Sequence, residues 1–202
     1  MMKRVLLAGI LGGIAMFIWT SLAHVVLPLG EIGVQEIPNE PAVLSAMVGS
    51  LGTSSGLYFF PGTGLPATAT REQKSAAMKE YRAKLANHPS GILIYHPPGA
   101  PDMFAAQLIT ELVKEILQTL IVVFLLAQTR LTTFSGRVGF VTLAGIMAAM
   151  TTNMSYWNWY GFPANYTAAY MFTEIIAFAV AGCVAALLMK KTVTSQAIPG
   201  VV

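Results

Sequence analysis

ITELVKEILQTL, running from Ile109 to Leu120, decides what kind of fold this chain has. It lies inside an apolar segment, Phe104 to Ala127, of the length that crosses a bilayer as a helix, about 20 residues. Yet it carries Glu111, Lys114 and Glu115. Insertion of one ionised residue at mid-membrane is disfavoured by about 2.5 to 3.5 kcal/mol, so three unpaired charges would oppose a span. The helical period resolves the conflict. At about 100° per residue, Gln107, Glu111, Lys114, Glu115 and Gln118 fall in one arc of about 100°. Leu108, Leu112, Val113, Ile116 and Leu117 cover much of the remaining surface. The segment therefore reads as a span with one polar side, which faces protein or water rather than lipid. Glu111 and Lys114 stand at i,i+3 and partly neutralise each other. The remaining acid is expected either neutral or beside a donor on another span.

The rest of the chain agrees with a membrane reading. Of 202 residues, 55% are hydrophobic and 10% charged, against roughly 25% charged in soluble domains, and the mean hydropathy is +0.63. The net charge of +3 forms no basic patch with interleaved aromatics, so nucleic acid is not an expected partner. A single cysteine, Cys183, excludes a disulfide framework and a CxxC pair. Four segments are long enough to span: Val5 to Leu29, Phe104 to Ala127, Val138 to Met154 and Tyr166 to Met189. With four spans, Lys3, Arg4, Arg130, Arg137, Lys190 and Lys191 all fall on one side, as the positive-inside rule requires. The expectation is an all-α integral membrane protein, a four-transmembrane-helix bundle forming a single membrane domain over residues 1–202. Both termini are then cytoplasmic, and in a bacterium the membrane is the inner one. MMKR, the apolar run and Ser21-Leu22-Ala23 also imitate a cleavable signal peptide; the run's continuation through Val25, Val26 and Leu27 favours a span.

Residues 30–103 form the expected extracytoplasmic insertion between the first two spans, too long for a bare connector. Asn39 followed by EPAVLSAMVGSL reads as a capped short helix with Pro41 in its first turn. Thr70-Arg71-Glu72-Gln73 has capping-box spacing and opens a charged helix that stops at Asn87-His88-Pro89. GLYFFPG (56–62) and GILIYHPPG (91–99) flank it and predict two paired strands ended by Pro-Gly turns. Tyr58, Phe59, Phe60, Ile94, Tyr95 and His96 there, with Trp157 and Trp159 of the loop SYWNWYGFPANY, make an expected partner or membrane-interface surface.

The other spans supply partners for the charged stripe. Glu174 shares a face with Thr167, Tyr170, Ala177, Phe178, Ala181 and Ala185. Gly9, Gly13, Thr20 and His24 share another, with Gly9 and Gly13 in a GxxxG pair. Gly139, Thr142, Gly145, Ala148 and Ala149 form a third. The overlapping depths predict an intramembrane polar cluster of His24, Gln107, Glu111, Lys114, Glu115, Gln118 and Glu174, with Asn153 and Tyr170 nearby. It reads as a satisfied network that sets helix register, or as a site for a proton, cation or small polar solute. A metal is disfavoured, because Glu-x-x-His is absent and Lys114 would repel a cation. His24 alone offers an axial ligand to a pigment or haem; otherwise no cofactor is implied.

Phosphate loops, GxSxG and HExxH are absent. The first functional expectation is therefore a non-enzymatic accessory or scaffold subunit, with the lipid bilayer and other membrane-protein subunits as partners. The second is a small ion-coupled or proton-coupled transporter that uses the carboxylate and lysine cluster. A membrane-embedded enzyme or cofactor binder comes third.

Overall fold

A computed structural model describes residues 2–189; Lys190 and Lys191, expected to flank the last span, lie outside the described residues. The chain divides into two compact units. The first holds the described parts of Met1–Val34, Met103–Ser155 and Pro163–Val202, and the second holds Gln35–Asp102 and Tyr156–Phe162.

The first unit is helical. Its helices are α1 (Met2–Val25), α4 (Phe104–Ala127), α5 (Phe134–Ala149) and α7 (Ala164–Leu188), numbered with the shorter helices α2, α3 and α6 below. Met2–Val25, Phe134–Tyr160 and Ala164–Leu188 are long and apolar enough to cross a membrane, which supports an integral membrane protein. Helix α4 is 24 residues long and differs from these three by the charges of ITELVKEILQTL. The helices pack side by side in the order α4, α1, α7, α5, while α4 and α5 meet only sparingly despite their short connection.

Small residues set these interfaces. A Cβ on Gly13 would lie 2.5 Å from Ile116 Cα, and one on Gly9 would lie 2.9 Å from Leu120 Cα. Only hydrogen fits there, so the GxxxG pair is where α1 and α4 approach most closely. Thr167, Ala177, Phe178, Ala181 and Ala185 of α7 are all buried. They form the inward face expected of the last span. Val141, Gly145 and Ala149 are the buried face of α5, and Gly145 lies against Phe178. Gly139 was expected on that face but has no neighbour within 4 Å of where a Cβ would stand. The face is set by Val141 instead, because the apolar side chain fills the groove of α7 beside Gly182.

Several boundaries differ from expectation, and helix α5 starts at Phe134 rather than Val138. Helix α1 ends at Val25 rather than Leu29, ahead of Pro28, which removes a donor. The third apolar segment runs on through a π-helical turn, Met150–Met154, into α6 (Ser155–Tyr160). SYWNWY is therefore helix, and the loop begins only at Gly161, whose φ of +71° suits glycine. Thr151 and Asn153 bond back to the carbonyls of Met147 and Ala149, local competition that accompanies the widened turn.

The second unit contains α2 (Glu40–Leu51), β1 (Gly56–Phe60), α3 (Arg71–Asn87) and β2 (Gly91–Tyr95). The two strands pair antiparallel, Leu57 opposite Ile94 and Phe59 opposite Ile92, with α3 as their connection. Thr70 and Gln73 complete the capping box at 3.2 Å and 2.8 Å. At the start of α2 the expected side-chain cap is not made. Asn39 adopts a left-handed φ of 54° there, which carries its side chain away from the helix N–H groups.

Candidate functional site

Only one edge of the polar stripe on α4 enters the unit. The buried residues of α4 are Glu115, Thr119, Val122, Val123 and Leu126, and at about 100° per residue their centre lies about 80° round from that of the stripe. The close glycine contacts impose this rotation by seating Ile116 and Leu120 against α1. Glu115 is consequently 0% exposed, while Glu111 and Lys114 are each 47% exposed and pair with each other. Gln107 is exposed and Gln118 half-buried.

Glu115 meets its donor on α1. Thr20 Oγ1 donates to Glu115 Oε1 at 3.0 Å and lies 3.1 Å from the Phe17 carbonyl. One turn inward, Thr119 Oγ1 donates to Met16 Sδ at 3.7 Å, also on α1. Two buried acceptors have no hydrogen-bond partner among the described residues: Glu115 Oε2 and Gln118 Oε1. Across the unit, Lys114 and Glu111 act electrostatically on Glu174 of α7. Glu174 also acts on Glu115. The carboxyls of α4 and α7 thus form one electrostatic group with Lys114 as its cation.

His24 stands apart from the acids. Its Nδ1 is 2.8 Å from the Thr20 carbonyl of its own helix, and its ring meets Tyr170 edge-on at 5.8 Å. Tyr170 stacks on Tyr166 at 4.4 Å. Gly30 closes the other side of the ring, with an added Cβ 3.1 Å from Nε2. The Nδ1 bond to the Thr20 carbonyl leaves Nε2 as the nitrogen that an axial ligand would use, and His24 is exposed. Among the described residues no three His, Cys, Asp or Glu side chains converge as a metal site.

Thr20 was readable as a neighbour of His24 on one helical face, but its bond to Glu115 depends on where α1 meets α4. Trp19 carries no such signal in the sequence. Its indole N–H donates to the Thr173 carbonyl at 2.9 Å and ties α1 to α7, and no sequence pattern marks which indole faces a helix rather than lipid.

The expected partner surface lies within the second unit. Phe59, Phe60, Ile94, Trp157 and Trp159 are 58%, 41%, 69%, 45% and 78% exposed, and His96 is exposed as well. Leu57, Phe59 and Ile94 share one face of the sheet, and Phe59 approaches Tyr160 with ring centroids 6.1 Å apart. Two tyrosines belong elsewhere. Tyr95 is buried with its hydroxyl donating to the Gly52 carbonyl at 2.9 Å, and the half-buried Tyr58 bonds back to Ser54. Strand alternation places both on the opposite face from Phe59.

No family model, curated protein or solved structure matches this chain.

Proposed function

We propose that this protein is a non-enzymatic accessory or scaffold subunit of a larger membrane assembly, held in the bilayer by four spans that include α4. The observation that carries this reading is the near absence of a core in the second unit. Ala69 and Tyr95 are its only buried residues, while Leu57, Phe59, Ile94 and Trp159 stand well exposed. Small units with so little burial are marginal by themselves, and large exposed apolar patches mark interaction sites. Aromatic side chains are also the ones enriched in protein interfaces. The half-exposed Glu111–Lys114 pair on α4 supports the same reading, since a membrane partner would cover the polar side that lipid does not suit.

Arg4, Arg130 and Arg137 line one pocket at one end of the spans, and Lys3 precedes Arg4 in the chain; this supports cytoplasmic termini and an extracytoplasmic second unit. Extraction from native membranes in a mild detergent tests the proposal. The chain should migrate with other membrane polypeptides, and Phe59→Ser with Ile94→Ser should release them while Glu115→Gln, inside the unit, leaves them bound. Recovery of the unaltered chain alone, with its second unit resistant to protease, refutes it.

The second reading is a small ion-coupled or proton-coupled carrier. It is favoured by the buried Glu115, whose Oε2 has no partner among the described residues, and by its electrostatic link to Glu174.

A further inference from the structure

The end of the first unit remote from His24 carries an open pocket of about 700 Å³. Arg4 comes to its wall from the start of α1, Thr129, Arg130 and Thr132 from the connection between α4 and α5, Arg137 from α5, and Met189 from just beyond α7. Among the described residues no aspartate or glutamate lines it.

Arg137 is the unusual member. It is 6% exposed, and its Nε donates to the Leu131 carbonyl at 3.1 Å. None of the described ion pairs includes it. A buried guanidinium without a counter-charge is strongly disfavoured. Its position aggravates this, because Arg137 sits in the first turn of α5, where the helix dipole already places positive potential.

We infer that this pocket binds a phosphate group, with Arg137 and Arg130 as its principal ligands. The planar guanidinium fork matches phosphate oxygens in paired hydrogen bonds. The Thr132 hydroxyl adds a donor, and the apolar wall at Met189 and Val5 accommodates the glycerol and first methylenes of a phospholipid. Basic pockets between helix ends on the cytoplasmic side hold headgroup phosphates in this way. The same chemistry is offered by an anionic phospholipid and by free phosphate.

The test uses the full chain in a neutral detergent, with thermal unfolding followed by tryptophan fluorescence. One arm titrates inorganic phosphate against chloride of equal ionic strength. The other titrates short-chain phosphatidylglycerol against short-chain phosphatidylcholine. A saturable rise in Tm is expected. A response to phosphatidylglycerol alone identifies the lipid as the source, and a response to phosphate identifies the free anion; either supports the site. Arg130→Gln, at an exposed position, should weaken the apparent affinity roughly tenfold. Arg137→Gln should remove the response, and if it does not fold, Arg130→Gln decides. The absence of any Tm rise in either arm overturns the inference. So does an equal response from the unaltered chain and Arg130→Gln.

Discussion

Gly13→Ala adds one methyl group where α1 crosses α4, at a point where the effect follows from geometry alone. The new Cβ would lie 2.5 Å from Ile116 Cα and 2.8 Å from Ile116 N. Carbon contacts are comfortable at about 3.5 to 4.0 Å, so the helices must separate locally by about 1 Å. The obstructing atoms are backbone and have no rotamer to change. Overpacking of this kind costs about 1 to 3 kcal/mol, and the rigid neighbour argues for the upper part of that range. Alanine returns about 1 kcal/mol of helix propensity, leaving a net loss of about 2 kcal/mol. Gly139→Ala is the matched control. It makes the same change in a helix with no atom within 4 Å, so it should be neutral or stabilising by up to about 1 kcal/mol. Unfolding by SDS in mixed micelles, followed by far-UV circular dichroism, should place Gly13→Ala well below the unaltered chain and Gly139→Ala at or above it. Equal stability of the two variants would refute a close α1–α4 crossing, and with it the rotation that buries Glu115.

Further outcomes bear on the buried carboxyl and on the second unit. Thr20→Val removes the described donor to Glu115 and should lower stability by about 1 to 3 kcal/mol, whereas Glu115→Gln keeps an acceptor for Thr20 and should be tolerated; if the carrier reading holds, proteoliposome uptake falls with Glu115→Gln in folded protein, and unchanged uptake counts against that reading. Thr70→Ala breaks the capping box and should cost about 1 kcal/mol, seen as faster amide exchange over residues 71–74 with the strand pair unaffected; unchanged exchange there would mean the cap contributes nothing.

Much of the fold is legible locally because it depends on periodicity and caps. The bounds of α4 follow from its apolar run, the start of α3 from Thr70 and Gln73, and the strands from GLYFF and GILIY, since each signal acts within a few residues. The third apolar segment was read too short. Its polar Thr151, Thr152 and Asn153 resemble a helix end, yet Thr151 and Asn153 bond back to the preceding turn and the helix continues. Asn39 misled in the opposite direction, because a residue type suited to capping took up a left-handed conformation instead.

The site separates the two kinds of information more sharply. Helical angle alone, acting along one segment, determined that Gln107, Glu111, Lys114, Glu115 and Gln118 share a side of ITELVKEILQTL, and that Glu111 and Lys114 are spaced to pair. Only tertiary structure decided which of them is buried. That choice depends on how α4 is rotated about its axis against α1, and the rotation is set by Gly9 and Gly13, about a hundred residues away in the chain, which admit Ile116 and Leu120 and so carry Glu115 inward to Thr20. The burial of Arg137 beside a pocket is of the same kind, since it requires the ends of α1, α4 and α7 to meet before there is a space for an arginine to line.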